Sequence, residues 1–198
     1  MIITTLTTAA MLFAGTNIDD MVVLAVLNVT SRTEGRPKTW EIWAGQYAGI
    51  TVLVVISLLA ALGLGYLLPE SYTWLLGFIP IVLGLKKLIV AIRSRRTGEK
   101  SSPAVARGLA GVTAITVANG GDNIAAYTPV FRTMSQANLS ITIGVFALGV
   151  AAWCLVGAWL VSHRKIADVI QRWGHWIVPS VFILIGIYIF QKAGVFGF

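Results

Sequence analysis

The sequence predicts an all-α integral membrane protein. We expect six transmembrane helices, arranged as an inverted repeat of two three-helix halves with both termini outside. Of the 198 residues, 57% are hydrophobic and only 12% are charged, and the mean hydropathy is +0.81. Soluble domains carry about a quarter charged residues, so little of the chain is left for a soluble domain. The lengths of the apolar runs and the placement of lysine and arginine give the span count and the orientation.

Each predicted span is an apolar run long enough to cross a bilayer, which takes about 20 residues. The spans are 2–29, 40–66, 72–92, 109–131, 138–162 and 175–193. The longest connection is rich in basic residues, serine, glycine and proline, which is typical of a loop. It divides the chain into a first three-helix repeat (1–92), a cytoplasmic loop (93–108) and a second three-helix repeat (109–198).

The orientation follows from the basic residues, because alternate loops of a six-span protein share one side of the membrane. Thirteen lysines and arginines then lie on one side, including Lys86 and Lys87 near the end of span three, and only Arg132 and Lys192 lie on the other. The positive-inside rule makes the richer side cytoplasmic. Topology therefore explains the net charge of +7, and we expect the lipid bilayer, not nucleic acid, as a partner.

Two polar motifs interrupt the apolar runs of spans one and four. Span one contains Thr16-Asn17-Ile18-Asp19-Asp20, and span four contains Asn119-Gly120-Gly121-Asp122-Asn123. Three carboxylates are thereby predicted at membrane depth, where one charge costs roughly 3 to over 10 kcal/mol. Such residues usually face a protein interior or a wet cavity and mark the path of an ion or proton.

The two motifs occupy matching places in the two halves. Asp19-Asp20-Met21 aligns with Asp122-Asn123-Ile124, and three spans per half make the halves cross the membrane in opposite directions. Transporters of this plan bind substrate near the midplane, often on interrupted helices. Gly15 and Gly120-Gly121 are candidate interruptions, and the alternative is that these glycines only permit close helix packing.

The motifs offer carboxylate and amide oxygens, which suit hard divalent cations. Asp19 and Asp122 are the first choice because they match across the repeat, and protons would compete with a metal for them. Asp19 and Asp20 differ by about 100° around a helix, so the sequence leaves open whether both face one cavity. The alternative is a buried polar cluster that holds spans one and four together. The expected metal ligands are Asp19, Asp20, Asp122, Asn123, Asn17 and Asn119, and the residues that could line the path are Thr16, Gln46 and Tyr127.

Other classes of site are disfavoured. The single cysteine, Cys154, excludes a site built from several thiolates. His163 and His175 are predicted outside the membrane core, so we expect no enzyme, no catalytic residues and no cofactor besides the transported ion. Because no P-loop is present, proton exchange is the expected source of energy.

Nearly end to end, the chain resembles the cadmium resistance transporters of the CadD type, within the LysE exporter superfamily. The similarity rests on 15–20, 45–49, 76–80, 118–124, 127–129 and 178–187. The block Asn119-Gly120-Gly121-Asp122-Asn123-Ile124 is its most specific part. The resemblance implies efflux of Cd(II) across the bacterial cytoplasmic membrane and places the ion path at the two acidic motifs.

The substrate remains open at this point. Cadmium is thiophilic, but an exporter benefits from a weak site, because several thiolates would release the ion slowly. The same oxygens suit Mn(II) or Zn(II), and the carboxylates could instead pair with the ammonium group of an organic cation or amino acid. The small-residue face at Gly45 and Gly49 could pack within one protomer or between protomers of a homo-oligomer.

Overall fold

Every regular element in the described part of the chain is helical, as the sequence predicts. The structure is a computed structural model that describes residues 2–97 and 107–193. The helices are α1 (Ile2–Glu34), α2 (Thr39–Leu67), α3 (Phe78–Thr97), α4 (Gly108–Asn119), α5 (Gly121–Arg132), α6 (Gln136–Leu160) and α7 (Arg164–Lys192). A 3₁₀ segment, Glu70–Gly77, leads into α3.

Four stretches are long and apolar enough to span a membrane. They are Ile2–Glu34, Thr39–Leu67, Ser71–Val90 and Gln136–Leu160, and they correspond to predicted spans one, two, three and five. The other two predicted spans are helical, but their apolar helices are shorter: Gly108–Asn119 and Trp176–Lys192. The chain is thus a multi-pass membrane protein, and the count of six spans stays a prediction.

The predicted fourth span is broken in the middle. At Gly120 the backbone amide donates to the carbonyl of Val117 (3.1 Å), three residues earlier, and the carbonyl of Gly120 accepts from Ile124 (3.1 Å). One helix therefore ends and the next begins at this glycine. A Cβ atom at Gly120 would overlap the side chain of Leu53 on α2, so a larger residue would not fit. The interruption predicted at Gly120-Gly121 is present.

The interruption predicted at Gly15 is wrong. α1 continues through this residue without a break. A Cβ atom there would overlap the side chain of Val181 on α7, so Gly15 permits close packing of two helices. A glycine adjoining a polar motif is compatible with either role, and the neighbouring helix decides between them.

Three helices extend well beyond their predicted spans. α1 runs to Glu34, past the predicted end at 29, and α3 runs to Thr97, into the predicted loop 93–108. α7 begins at Arg164, eleven residues before the predicted start at 175. Residues 98–106 of that loop lie outside the described residues. Hydropathy detects only the apolar part of a helix, whereas arginine, lysine, alanine and glutamine are good helix formers that continue it beyond the bilayer core.

Close helix contacts bring the second motif against α2. α1 packs mainly on α6, α3 on α7, and α2 on both α4 and α5. A Cβ atom at Gly45 would lie 2.6 Å from that of Val112, and one at Gly49 would lie 2.5 Å from that of Thr116. These glycines therefore let the α2 and α4 backbones approach, as small residues do in membrane helix pairs. This small-residue face packs within the protomer.

The core and the outer surface are both apolar. Around Tyr127 the core is aromatic: its ring centroid lies 4.8 Å from that of Phe146, which lies 5.4 Å from that of Phe13. On the outside, Leu59 is 64% exposed and Leu148 is 73% exposed. Soluble monomers rarely expose continuous apolar surfaces, so this outer surface suits the hydrocarbon of a bilayer.

We expect Gly49→Ala to destabilise the protein, because the added methyl group meets the Cβ atom of Thr116. Overpacking of this kind costs about 1–3 kcal/mol. Gly63, on the same helix, has no atom within 4 Å of its would-be Cβ, so Gly63→Ala is the matched control. Thermal unfolding of the detergent-solubilised protein measures both, and equal melting temperatures for the two variants would contradict the packing role of Gly49.

Candidate ion-binding site

The two polar motifs meet inside the helix bundle. The side-chain amide of Asn123, on α5, donates to Oδ1 of Asn17, on α1, at 2.9 Å. The amide of Asn17 in turn donates to the hydroxyl of Tyr127 at 2.8 Å, and the hydroxyls of Thr16 and Tyr127 lie 3.0 Å apart. All four residues are buried. The structure thus brings together residues that lie more than a hundred positions apart in the chain.

Asn17 is the centre of this network. Its amide nitrogen also lies within hydrogen-bond distance of the backbone carbonyl of Phe13 (2.8 Å) and of Oγ1 of Thr16 (2.9 Å). Its backbone carbonyl accepts from the indole of Trp153 on α6 at 2.7 Å. Asn17 therefore ties α1 to both α5 and α6, and its side chain is fully engaged by protein partners.

These four buried residues, Thr16, Asn17, Asn123 and Tyr127, form what we call the polar network. It has the geometry of the interhelical hydrogen bonding that the sequence offered as the alternative to metal binding. Hydrogen bonds between membrane helices contribute about 0.6 kcal/mol each on average. The polar network therefore holds the motifs together, while the carboxylates beside it remain available for other partners.

Asp20 lies on the side of α1 that faces α2. Its carboxylate is buried and accepts from Nε2 of Gln46 at 3.3 Å, and Oε1 of Gln46 accepts from the hydroxyl of Thr116 at 2.8 Å. Asn119, at the end of α4, lies near Asp20. Gln46 therefore contacts the acidic motif directly, and the glycines beside it provide the packing.

Asp19 and Asp122 share one basic partner. Nζ of Lys87, on α3, forms a hydrogen-bonded ion pair with Oδ2 of Asp122 and lies 3.5 Å from Oδ2 of Asp19. The side chain of Asp19 is 59% exposed, that of Lys87 is 30% exposed and that of Asp122 is 15% exposed. The carboxylates of Asp19 and Asp122, which align in the sequence, thus converge on a single ammonium group. We call Asp19, Lys87 and Asp122 the charged triad. Asp20 points elsewhere, so adjacent Asp19 and Asp20 have different partners.

Lys87 is the residue that the sequence reasoning missed. It was counted among the basic residues of a cytoplasmic loop, but it lies in the middle of α3 and faces the acidic motifs. The predicted span 72–92 already contained it. A lysine within an apolar span needs a partner for the same reason that an aspartate does, and this signal could have found it.

Within residues 2–97 and 107–193, no three acidic, histidine or cysteine side chains lie close enough together to hold a metal ion. Oδ1 of Asn123 is buried and has no hydrogen-bond partner in the described part of the chain. A buried acceptor of this kind costs free energy unless a donor or cation satisfies it. The assignment of the six oxygen-bearing residues as metal ligands stays a prediction.

Softer ligands lie apart from the motifs. Cys154 is buried among apolar residues in the hydrophobic core. His163 is exposed, and its ring stacks on Trp159 with centroids 4.0 Å apart. The side chain of His175 is outside the description. The side chains of the polar network and the charged triad therefore offer oxygen and nitrogen atoms and no sulfur.

The fold and this site define a helical membrane protein with ion-paired charged groups between its helices. The chain matches a family model described as cadmium resistance transporter over residues 13–197. The match covers most of the chain, both acidic motifs and Lys87, and the protein belongs to the cadmium resistance transporter family. No curated protein and no solved structure matches it. The family is a transporter family, and placement in the wider LysE exporter superfamily stays a prediction.

We expect Tyr127→Phe to lower stability, because it removes the hydroxyl that receives the amide of Asn17 and contacts Thr16. Loss of a buried hydrogen-bond partner costs about 1–3 kcal/mol. Tyr66 is 92% exposed, so Tyr66→Phe is the control. Thermal unfolding in detergent is the measurement, and a Tyr127→Phe protein that melts with the wild type would show that the polar network contributes no stability.

Proposed function

We propose that this protein is a secondary exporter of divalent heavy-metal cations, with Cd(II) the favoured substrate. It would carry the ion out of the bacterial cytoplasm by proton exchange. One observation carries the proposal: Asp19 and Asp122, which align in the sequences of the two halves, both reach the ammonium group of Lys87. Membership of the cadmium resistance transporter family supports the choice of metal.

Charge favours a divalent ion at this position. With the ammonium of Lys87 withdrawn, the carboxylates of Asp19 and Asp122 carry two negative charges in an environment where charge is costly. A divalent cation between Asp19 and Asp122 would neutralise the pair. The free Oδ1 of Asn123 and the carboxylate of Asp20 are further oxygen donors of the kind that hard divalent ions accept.

The amides have different roles in this proposal. Asn123 offers an unsatisfied acceptor and is the amide we favour as a ligand. Asn17 acts as a positioning residue, because protein partners already engage its side chain. Gln46 is hydrogen bonded to Asp20 and Asn119 lies near it. Thr16 and Tyr127 hold the two motifs together.

We propose an inverted repeat as the frame for this site. In such a repeat, α1 corresponds to α4 and α5 together, α2 to α6, and α3 to α7. Exchange of the two halves would then convert the contact of α1 with α6 into a contact of α4 and α5 with α2. Both contacts are extensive. The same exchange maps the contact of α3 with α7 onto itself. Transporters of this plan bind substrate at the repeat interface on broken helices, and α4 and α5 form such a broken helix. When Lys87 is no longer counted among the basic residues of the loops, most of the lysines and arginines still fall on one predicted side of the membrane. We therefore still propose that both termini lie outside.

A second candidate is an exporter of an organic cation or amino acid. The observation that favours it is the charged triad itself, because a primary ammonium already occupies the carboxylate pair. A substrate amine could take the same place. Displacement of bound Cd(II) by an alkylamine or by free lysine, at concentrations that leave the protein folded, would favour this second candidate.

In everted membrane vesicles we expect Asp19→Asn and Asp122→Asn each to reduce Cd(II) uptake at least about tenfold, because charge-assisted contacts are worth about 1.5–3 kcal/mol. Glu34 is an exposed carboxylate at the end of the same helix as Asp19, so Glu34→Gln is the control and should transport normally. Wild-type uptake in both aspartate variants, with expression matched, would reject this site. Mn(II) and Zn(II) uptake in the same vesicles ranks the metals.

Proton exchange makes a separate prediction. If protons return through the same carboxylates, Cd(II) uptake into everted vesicles should stop when a protonophore collapses an acid-inside gradient. The expected result is uptake close to that of vesicles lacking the protein. The control is an ionophore that removes only the electrical potential. Uptake that persists without a proton gradient would rule out proton exchange and leave the metal site standing.

A further inference from the structure

We propose that Lys87 is a tethered counter-ion that competes with the transported cation for Asp19 and Asp122 and thereby excludes monovalent cations. Its ammonium group occupies the carboxylate pair when no metal is bound, and a divalent ion must displace it. This inference rests on the proposed function, since it concerns the same two carboxylates. It assigns Lys87 a role in selecting the substrate.

The competition follows from the contacts of Lys87. Its Nζ is hydrogen bonded to Oδ2 of Asp122 and lies 3.5 Å from Oδ2 of Asp19. A metal ion bridging the two aspartates would use these same oxygen atoms at 2.3–2.6 Å, the range for oxygen ligands of calcium-sized cations. The ammonium and the metal cannot occupy this position together, so metal binding requires Lys87 to withdraw.

The side chain of Lys87 is able to withdraw without movement of α3. It is 30% exposed and reaches the carboxylates on a flexible four-carbon stem. Its Nζ also lies 5.4 Å from the centre of the Phe182 ring on α7, within the distance at which an aromatic face attracts a cation. Rotation of the stem would therefore move the ammonium group off the carboxylate oxygens and leave it near the Phe182 ring.

The tether gives Lys87 an advantage over monovalent ions. A group held beside its site by a short flexible link has an effective concentration of the order of millimolar or higher. A potassium or sodium ion offers the carboxylates no more charge than the ammonium already does. A divalent ion offers twice the charge, and Coulomb energy scales with charge. The divalent ion is thus the one that displaces Lys87.

Calorimetric titration of the purified full-length protein with Cd(II) tests the inference. We expect Lys87→Met to bind Cd(II) roughly tenfold more tightly than the wild type, because removing one charged hydrogen-bonding competitor changes affinity by about this factor. Lys87→Arg keeps the positive charge and should restore affinity to the wild-type level. Lys86→Met is the matched control, because Lys86 is the adjacent exposed lysine of α3, and its affinity should not change.

Competition by potassium is the readout that a purely structural role of Lys87 would not change. We expect added potassium, at constant ionic strength with a bulky organic cation as the replacement, to weaken Cd(II) binding to Lys87→Met several-fold and to leave the wild type unaffected. Equal or weaker Cd(II) binding in Lys87→Met would overturn the inference, as would equal tightening in Lys86→Met.

If Lys87→Met does not yield folded protein, Lys87→Gln is titrated in its place and judged by the same criteria. The proposed function fails in a distinguishable way: no heat of Cd(II) binding in the wild type or in any variant would remove both it and this inference. Cd(II) binding in the wild type that is unchanged in the Lys87 variant would remove the inference alone. Heat in the Lys87 variant only would support both.

Discussion

The pairing of charge between apolar helices is the interaction on which this site depends. Asp19 and Asp122 lie on helices from different halves of the chain, and both reach the ammonium of Lys87 on a third helix. Unpaired charges within apolar spans are expensive, and the packing of α1, α3 and α5 keeps these groups together. The resulting ion pairs join three helices at one point.

The polar network and the charged triad contain different residues of the two motifs and make different kinds of contact. Asn17 and Tyr127 form buried hydrogen bonds that are fully engaged in holding α1 against α5 and α6. The carboxylates beside them are more exposed and have a partner that a flexible stem can remove. A transporter needs both properties, because a site must hold its shape while its ligand enters and leaves. Metal binding and helix association were alternative interpretations of the motifs. The structure shows interhelical hydrogen bonding at Asn17, Asn123 and Tyr127, and metal binding by the carboxylates stays a proposal.

Close packing at glycine controls where the second motif lies. The break at Gly120 divides the predicted fourth span into two short helices, and Gly45 and Gly49 allow α4 to approach α2. Asp122 consequently stands in the first turn of α5, where the helix dipole favours a negative charge. Asp20, by contrast, is taken up by Gln46 and Thr116. Asp20 and Asp122, one from each motif, therefore have different partners.

The sequence by itself determined the helical class, four of the spans, the acidic motifs and the family, because length, hydropathy and rare intramembrane charges are all properties of local sequence. It placed the break at Gly120 correctly and the one at Gly15 wrongly, since the conformation of a glycine depends on which helix packs against it. Only the tertiary structure decided that Asp19 and Asp20 have different partners, and that Lys87 belongs with the acidic motifs. These are pairings between residues distant in the chain, and they follow from side-chain direction and helix packing, which no local pattern specifies.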